Sequence, residues 1–293
     1  MEERPIALSP LADPVVGAIF DSVENAGLAA QSLVESVLKS EGVKLGNIIS
    51  VTPQKIAIPN VEVRSTRVDI FFETDKKERI LVEVQMYKEP LLERNMLAVS
   101  QDIATSIPKN STVWRVRELF PKIYVINIMN YSTRTDNDDF IQPIKLMYTK
   151  PPAKTAFEHL QIFNIELPKF RKKKHDLTDR LDAWLYIFDT AEQENKTVEE
   201  VISMDETLKA TVTEDPGLKQ FIENYDRISA DGEMRKEYFG YIRGMYYLNG
   251  LQRSAFLDGK IEDARNMLLD GLKPEKISQY TNLPIETIRE IRL

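Results

Sequence analysis

Residues 61–89 read VEVRSTRVDIFFETDKKERILVEVQMYKE, two apolar runs either side of a short charged stretch, and they constrain the fold more than any other part of the chain. In a strand alternate side chains share a face, so Arg67, Asp69 and Phe71 point one way while Val68, Ile70 and Phe72 point the other. On the second run Leu81, Glu83 and Gln85 share a face opposite Ile80, Val82 and Val84. A hairpin turning through Asp75, Lys76 and Lys77 pairs residues symmetrically about Lys76, which sets Asp69 opposite Glu83. Cross-strand partners lie about 5 Å apart at Cβ, and facing like charges are unfavourable unless something compensates. A cation does so, and Mg²⁺ in particular takes oxygen ligands from one or two carboxylates. The competing reading is a solvated sheet face on which Arg67, Arg79 or Lys88 neutralises the acids.

Around this hairpin the texture alternates. Apolar positions Val16, Ile19, Phe20 and Val23, then Leu33, Val34, Val37 and Leu38, suggest one or two helices interrupted near Asn25 to Gly27. Strand-like runs NIISV and KIAI precede the hairpin. Helical periodicity covers about Glu89 to Ile107, and KIYVINIMNY, IQPIKLMY and LQIFNIEL read as three more strands. The basic segment Lys169 to His175 marks a boundary, and everything after it reads helical. One helix carries Leu177, Leu181, Trp184, Leu185 and Phe188 and breaks at Asn195. Others follow from Val198 and Pro216, and a long stretch runs from Glu233 to Leu269, where Gly240, Gly244, Gly250 and Gly259 are candidate bends. Trp184 and the tyrosines at helical spacing read as core rather than as base-stacking platforms. Pro274 and Pro284 open two short helices with helix-turn-helix-like spacing. On the last, Glu286 and Glu290 balance Arg289 and Arg292, so a helical packing module and a DNA reader both remain open.

Composition excludes several chemistries. The chain has no Cys and only two His, His159 and His175, so thiolate metal sites, disulfides, cysteine nucleophiles and multi-histidine zinc sites are ruled out. Any metal must sit on carboxylates. A net charge of −7 argues against a nonspecific polyelectrolyte binder, while a local basic surface can still engage phosphates. No window approaches a spanning helix, and Met1 to Pro10 lacks a basic start followed by an apolar run, so a cytoplasmic protein without membrane partners is expected.

An acid on one strand of a hairpin followed by Glu-x-Lys on the next is the signature of the PD-(D/E)XK nuclease fold. Here Asp69 is followed by Glu83-Val84-Gln85, with Gln in place of the usual Lys. This variant, together with SPLADPVVGAIF, RVDIFFETDKKERILVEVQMYKEPLLERNMLAVSQDI, FNIELPKF and GLKPEKISQYTNLPIETI, resembles the recombination-promoting nuclease (Rpn)/transposase family of that superfamily over nearly the whole chain. The resemblance implies an α/β, restriction-endonuclease-like core, a mixed β-sheet flanked by helices, over residues 1–170. A helical C-terminal region, 171–293, follows it and ends in the helix-turn-helix-like tail. It implies a metal-dependent DNA endonuclease associated with recombination or mobile elements, with Mg²⁺ or alternatively Mn²⁺ as cofactor and DNA as partner. The runner-up is a noncatalytic DNA-binding or regulatory protein that retains the fold, and the helical region is the expected surface for any homo-oligomer.

On this resemblance Asp69, Glu83 and the backbone carbonyl of Val84 are the metal ligands. Gln85 does not titrate at ordinary pH, so it positions water or a phosphate oxygen and leaves the proton to metal hydroxide, substrate phosphate or bulk water. Asp13 is either a third acid or a helix cap ahead of Pro14. Arg94 and Gln101 share a helix face as candidate substrate contacts, with Arg94 pairing to Glu89 or Glu93 as the alternative. Lys169, Arg171, Lys172, Lys173 and Lys174 form either a phosphate contact or a solvated loop. His159 and His175 read as structural.

Overall fold

The computed structural model describes residues 7–56, 66–88, 90–108, 111–152 and 154–291; the side chains of 52–56, 66–69, 105–106, 113, 114, 117, 248, 249 and 252 lie outside that description. The chain runs α1 (Asp13–Ile19), α2 (Val23–Leu38), β1 (Ile48–Ile56), β2 (Thr66–Thr74), β3 (Arg79–Gln85), α3 (Leu91–Ser106), α4 (Val113–Leu119) and β4 (Ile123–Met129). It continues through β5 (Ile141–Met147), β6 (Thr155–Glu166), α5 (Leu167–Phe170), α6 (Arg180–Glu194), α7 (Val198–Ser203), α8 (Glu206–Glu214) and α9 (Pro216–Ala230). Last come α10 (Gly232–Leu269), α11 (Pro274–Thr281) and α12 (Ile285–Arg289). Two compact units result, Met1–Arg235 and Lys236–Leu293. The helices from 171 to 235 therefore group with the sheet, whereas the sequence reading draws its boundary at 170. No helix among the described residues is long and apolar enough to cross a membrane.

The sheet of the first unit has the order β1-β2-β3-β4-β6-β5 and is mixed. β3 and β4 pair in parallel, as do β4 and β6, while β1–β2, β2–β3 and β5–β6 are antiparallel. The central strands β3 and β4 are almost wholly buried, which explains their unbroken apolar texture. Glu73↔Arg79, Phe72↔Ile80, Phe71↔Leu81 and Ile70↔Val82 give the β2–β3 register, the one centred on Lys76. Its turn is closed by Lys77 N donating to Thr74 O at 2.8 Å and Thr74 N to Glu78 O at 3.1 Å, with Lys77 in the left-handed region at φ 59°. Buried Glu78 locks it further, its carboxylate accepting from Thr74 Oγ1 at 2.9 Å and from Gly46 N at 2.8 Å.

The helix break at the start of the chain comes earlier than the composition suggested. Ser22 is the N-cap of α2, accepting from Asn25 N at 3.2 Å, so Asn25 and Gly27 lie inside the helix and the break falls at Phe20 to Ser22. Asn224 of α9 donates to Ile19 O and Asn25 O at 3.1 and 2.7 Å, satisfying one carbonyl on each side of that break. Tyr225 Oη reaches Leu8 O at 2.7 Å, and Trp184 of α6 donates to Ser32 Oγ at 3.1 Å. Trp184 is core, as expected, packed at an angle on Phe188 and edge-on to Phe221. The hydrogen bonds join segments 152 to 217 residues apart, so no local pattern announces them.

The basic segment divides between ion-paired and solvent-exposed cations. Lys169 forms a buried ion pair with Glu166 at 2.9 Å, and Arg171 Nε lies 2.7 Å from Asp189 Oδ1. Lys173 lies 3.5 Å from Asp139, while Lys172 and Lys174 are exposed. His175 stacks on Phe170 with centroids 3.8 Å apart, and His159 sits between Phe120 and Phe157 with its ring nitrogen 3.3 Å from Pro121 O. Both roles are structural.

In the second unit Ala264, Ile277, Leu283 and Ile288 form a small core that ties α11 and α12 to the end of α10. Asn282 takes the left-handed C-cap of α11 and Arg289 pairs with Glu275 at 3.3 Å, building the helix-turn-helix-like shape from packing contacts. α10 is one uninterrupted helix through all four glycines. Its tyrosines correct the core expectation: Tyr246 and Tyr247 are 75% and 68% exposed, and only Tyr238 is buried. Helical spacing shows which residues share a face, not whether anything covers that face.

Two expectations for stability follow. A Cβ on Gly217 would stand 2.4 Å from Leu28 O and 2.3 Å from Ser32 Cβ, where α9 meets α2. Gly217→Ala should lower unfolding free energy by about 1–3 kcal/mol, read from urea midpoints. Burial holds His175 below its ordinary pKa, against the opposing pull of Asp182 and Asp189. The unfolded chain therefore binds this proton first, so the contribution is present above about pH 6.5 and fades below it. Burial raises Asp182 and Asp189, which act with the opposite sign nearer carboxylate pKa values. The urea midpoint should accordingly fall from pH 7.5 to 5.5, and less so in His175→Phe.

Candidate metal and nuclease site

Each face of the central sheet has its own cover. Phe20, the C-cap of α1, packs on Phe72, 6.1 Å between centroids, so α1 serves the face of Ile70, Phe72, Ile80 and Val82. α3 covers the other, where Ala98 and Val99 pack on Phe71, Leu81, Val125 and Ile162. Beyond that apolar layer, toward the C-terminal ends of β3 and β4, the same face turns polar. Glu83 aligns with Asn127, Asn127 with Asn164, and Gln142 with Asn164, so one row of polar side chains crosses four strands.

Glu83 is the charged member of this row and is 3% exposed. Gln85 Nε2 donates to Glu83 Oε2 at 3.1 Å, and Arg94 Nη2 lies 3.3 Å from the same oxygen. The alternation that sets Glu83 and Gln85 on one face is thus realised as a direct hydrogen bond. Arg94 turns inward to Glu83 instead of along the helix to Glu93; Glu89 lies outside the described residues. Gln101 stands two turns further on, roughly 10 Å along the α3 axis from Arg94. Its neighbour Asp102 meets Arg79 at 3.9 Å, and Arg79 also reaches Glu73 at 3.2 Å and covers the Phe71 ring. Arg79 therefore serves the far end of the sheet and does not neutralise Glu83. Burial raises the Asp102 pKa, with Arg79 partly offsetting it.

Asp69 lies on β2, directly before Ile70, whose partner is Val82; its side chain is outside the described residues. Asp13 is the first residue of α1, whose N-cap is Ala12, and it places an acid in the first turn of that helix. Among the described residues no three His, Cys, Asp or Glu side chains gather as a metal cluster. The donors present are carboxylate, amide and carbonyl oxygens, the set a hard cation prefers.

Asn127 escaped sequence reading. It is fully buried, donates through Nδ2 to Asn164 Oδ1 at 2.7 Å, and among the described residues its own Oδ1 has no hydrogen-bond partner. An unsatisfied buried acceptor costs about 1–3 kcal/mol, so its retention beside Glu83 is informative. In KIYVINIMNY it reads as one polar residue in a buried strand. Only the parallel pairing of β3 with β4, which no local pattern encodes, brings it to the site.

Comparison with known proteins agrees with this architecture. The family model described as PD-(D/E)XK nuclease family transposase matches residues 15–243. Neither the curated proteins nor the solved structures compared with the chain gave a match. The matched span contains the whole sheet, the β2–β3 hairpin, α3 and the helices packed behind them. With that hairpin, its Glu-x-Gln strand and a match over most of its length, the chain belongs to the PD-(D/E)XK nuclease family transposases.

Proposed function

We propose that the chain is a metal-dependent DNA endonuclease in which Asp69, Glu83 and the backbone carbonyl of Val84 hold one divalent cation, Mg²⁺ or Mn²⁺. The observation that carries the reading is a buried carboxylate, Glu83, on the hairpin of a nuclease-family chain. A bound cation of this kind neutralises charge at the scissile phosphate and makes a water more acidic. The protein's own residues do the rest. Gln85 fixes the Glu83 carboxylate through its 3.1 Å bond, and it neither donates nor takes a proton at ordinary pH. The proton released on hydrolysis therefore passes to solvent or to a substrate phosphate oxygen. Arg94 is a positioning residue that stabilises buried Glu83, and its side chain, 21% exposed, is the proposed contact to an incoming backbone. Asp13 is carried in this reading as a further acid and Gln101 as a second substrate contact.

The test is nicking of supercoiled plasmid with Mg²⁺ or Mn²⁺. Asp69→Asn and Glu83→Gln should each reduce the rate on the order of 100-fold or more, and EDTA should abolish it. Undiminished nicking by both variants would remove the carboxylates from the mechanism. A folded wild type that binds DNA without cutting it under either metal would favour the regulatory reading.

Arg94 gives an independent check. Arg94→Met leaves a buried carboxylate without its cation and should destabilise the fold by about 3 kcal/mol at neutral pH. Millimolar Mg²⁺ should restore part of the lost melting temperature, because the metal replaces the guanidinium charge. Adding Glu83→Gln to this variant should recover stability without metal and erase the Mg²⁺ response. Equal melting temperatures for wild type and Arg94→Met would show that the ion pair does not hold Glu83.

A further inference from the structure

The row of polar residues across the sheet contains one atom whose demand is unmet. Nδ2 of Asn127 is committed to Asn164 on β6 at 2.7 Å, and this bond fixes the plane of the amide. Its Oδ1 diverges from Nδ2 and so turns away from β6; the strand on the other side of β4 is β3, where Glu83 is the paired residue. That oxygen is buried and, among the described residues, without a hydrogen-bond partner. Every other residue of β4 is apolar or aromatic, so Asn127 adds nothing to the burial that holds the strand in place. A neutral amide oxygen of this kind is a regular ligand of hard cations.

We infer that Asn127 Oδ1 is a neutral oxygen donor to the cation held at Glu83, so that the site spans β3 and β4 and is not confined to the hairpin. This rests on the cation site proposed above. In this arrangement Asn164 is the outer partner that orients the ligating amide, as outer partners orient ligands in metal sites generally. Parallel pairing supplies a second uncharged oxygen beside the carbonyl of Val84, one that adds no further repulsion at the carboxylate.

The test measures Mn²⁺ binding to the full chain by calorimetry, together with the electron paramagnetic resonance of free Mn²⁺, and needs no cleavage. Asn127→Leu should weaken binding about 10-fold or more, whereas Asn127→Asp, which adds a charged oxygen at the same place, should tighten it. Urea midpoints establish that each variant is folded, and Asn127→Asp decides the matter where Asn127→Leu fails to fold. If Glu83→Gln abolishes binding while both Asn127 variants keep the wild-type dissociation constant, Asn127 is only a bridge to Asn164 and the inference is overturned, with the cation site intact. If wild type binds no Mn²⁺, or Glu83→Gln binds as wild type does, the cation site itself is misassigned and the inference falls with it.

Discussion

The register of the β2–β3 hairpin is the constraint on which the site depends. Side chains alternate with a period of two, so a slip of one residue would turn Glu83 and Gln85 to the face served by α1 and drive Val82 and Val84 toward α3. The molecule guards against that slip at the turn. Thr74 and Glu78 close it through backbone and side-chain bonds together, and Gly46 ties Glu78 to the loop ahead of β1. Asp75 in turn holds Asn47 through its backbone and side-chain nitrogens, both at 3.0 Å. A polar cluster at one end of the hairpin thereby determines which face the carboxylate occupies at the other.

α3 converts this register into two environments on one face. Its inward residues follow the strands downward, with Arg94 at the level of Glu83, Ala98 and Val99 on the apolar layer, and Asp102 at Arg79. The apolar layer supplies the burial that keeps helix and sheet together. Above it the same packing excludes water from Glu83, which would be strongly unfavourable without a compensating charge. Arg94 supplies that charge from the helix, so helix docking and carboxylate burial are one event.

Legibility followed the range of the interactions. Hairpin register and the Glu83–Gln85 face both rest on alternation and a short turn, and residues 66–85 carry that information locally. The break before α2 depends on Ser22 accepting from Asn25, one hydrogen bond in a segment whose Asn and Gly look like the breakers. Helix α8 went unread because Asp205 caps it two residues after α7 ends, leaving no loop to mark its start. The pairing of Arg171 with Asp189 and of Lys169 with Glu166 ties two cations of the basic run to acids, and composition cannot register that. Tyr246 and Tyr247 show the opposite error, a helical apolar pattern with nothing laid over it. Asn127 was beyond reach for a third reason, since its neighbours are set by a parallel crossover through α3 and α4.

The Gln at position 85 makes physical sense in this environment. A Lys there, as the wider superfamily has it, would place a second cation on a carboxylate oxygen already paired with Arg94. Both cations would then have to be desolvated, since Gln85 is only 7% exposed. An amide keeps the hydrogen bond to Glu83 and adds no charge beside the Arg94 ion pair. An amide at position 85 cannot act as general base, so it leaves proton handling to other groups. Replacing Lys by Gln and recruiting Arg from α3 are thus two halves of one electrostatic solution, in which the helix carries the charge and the strand carries the orientation.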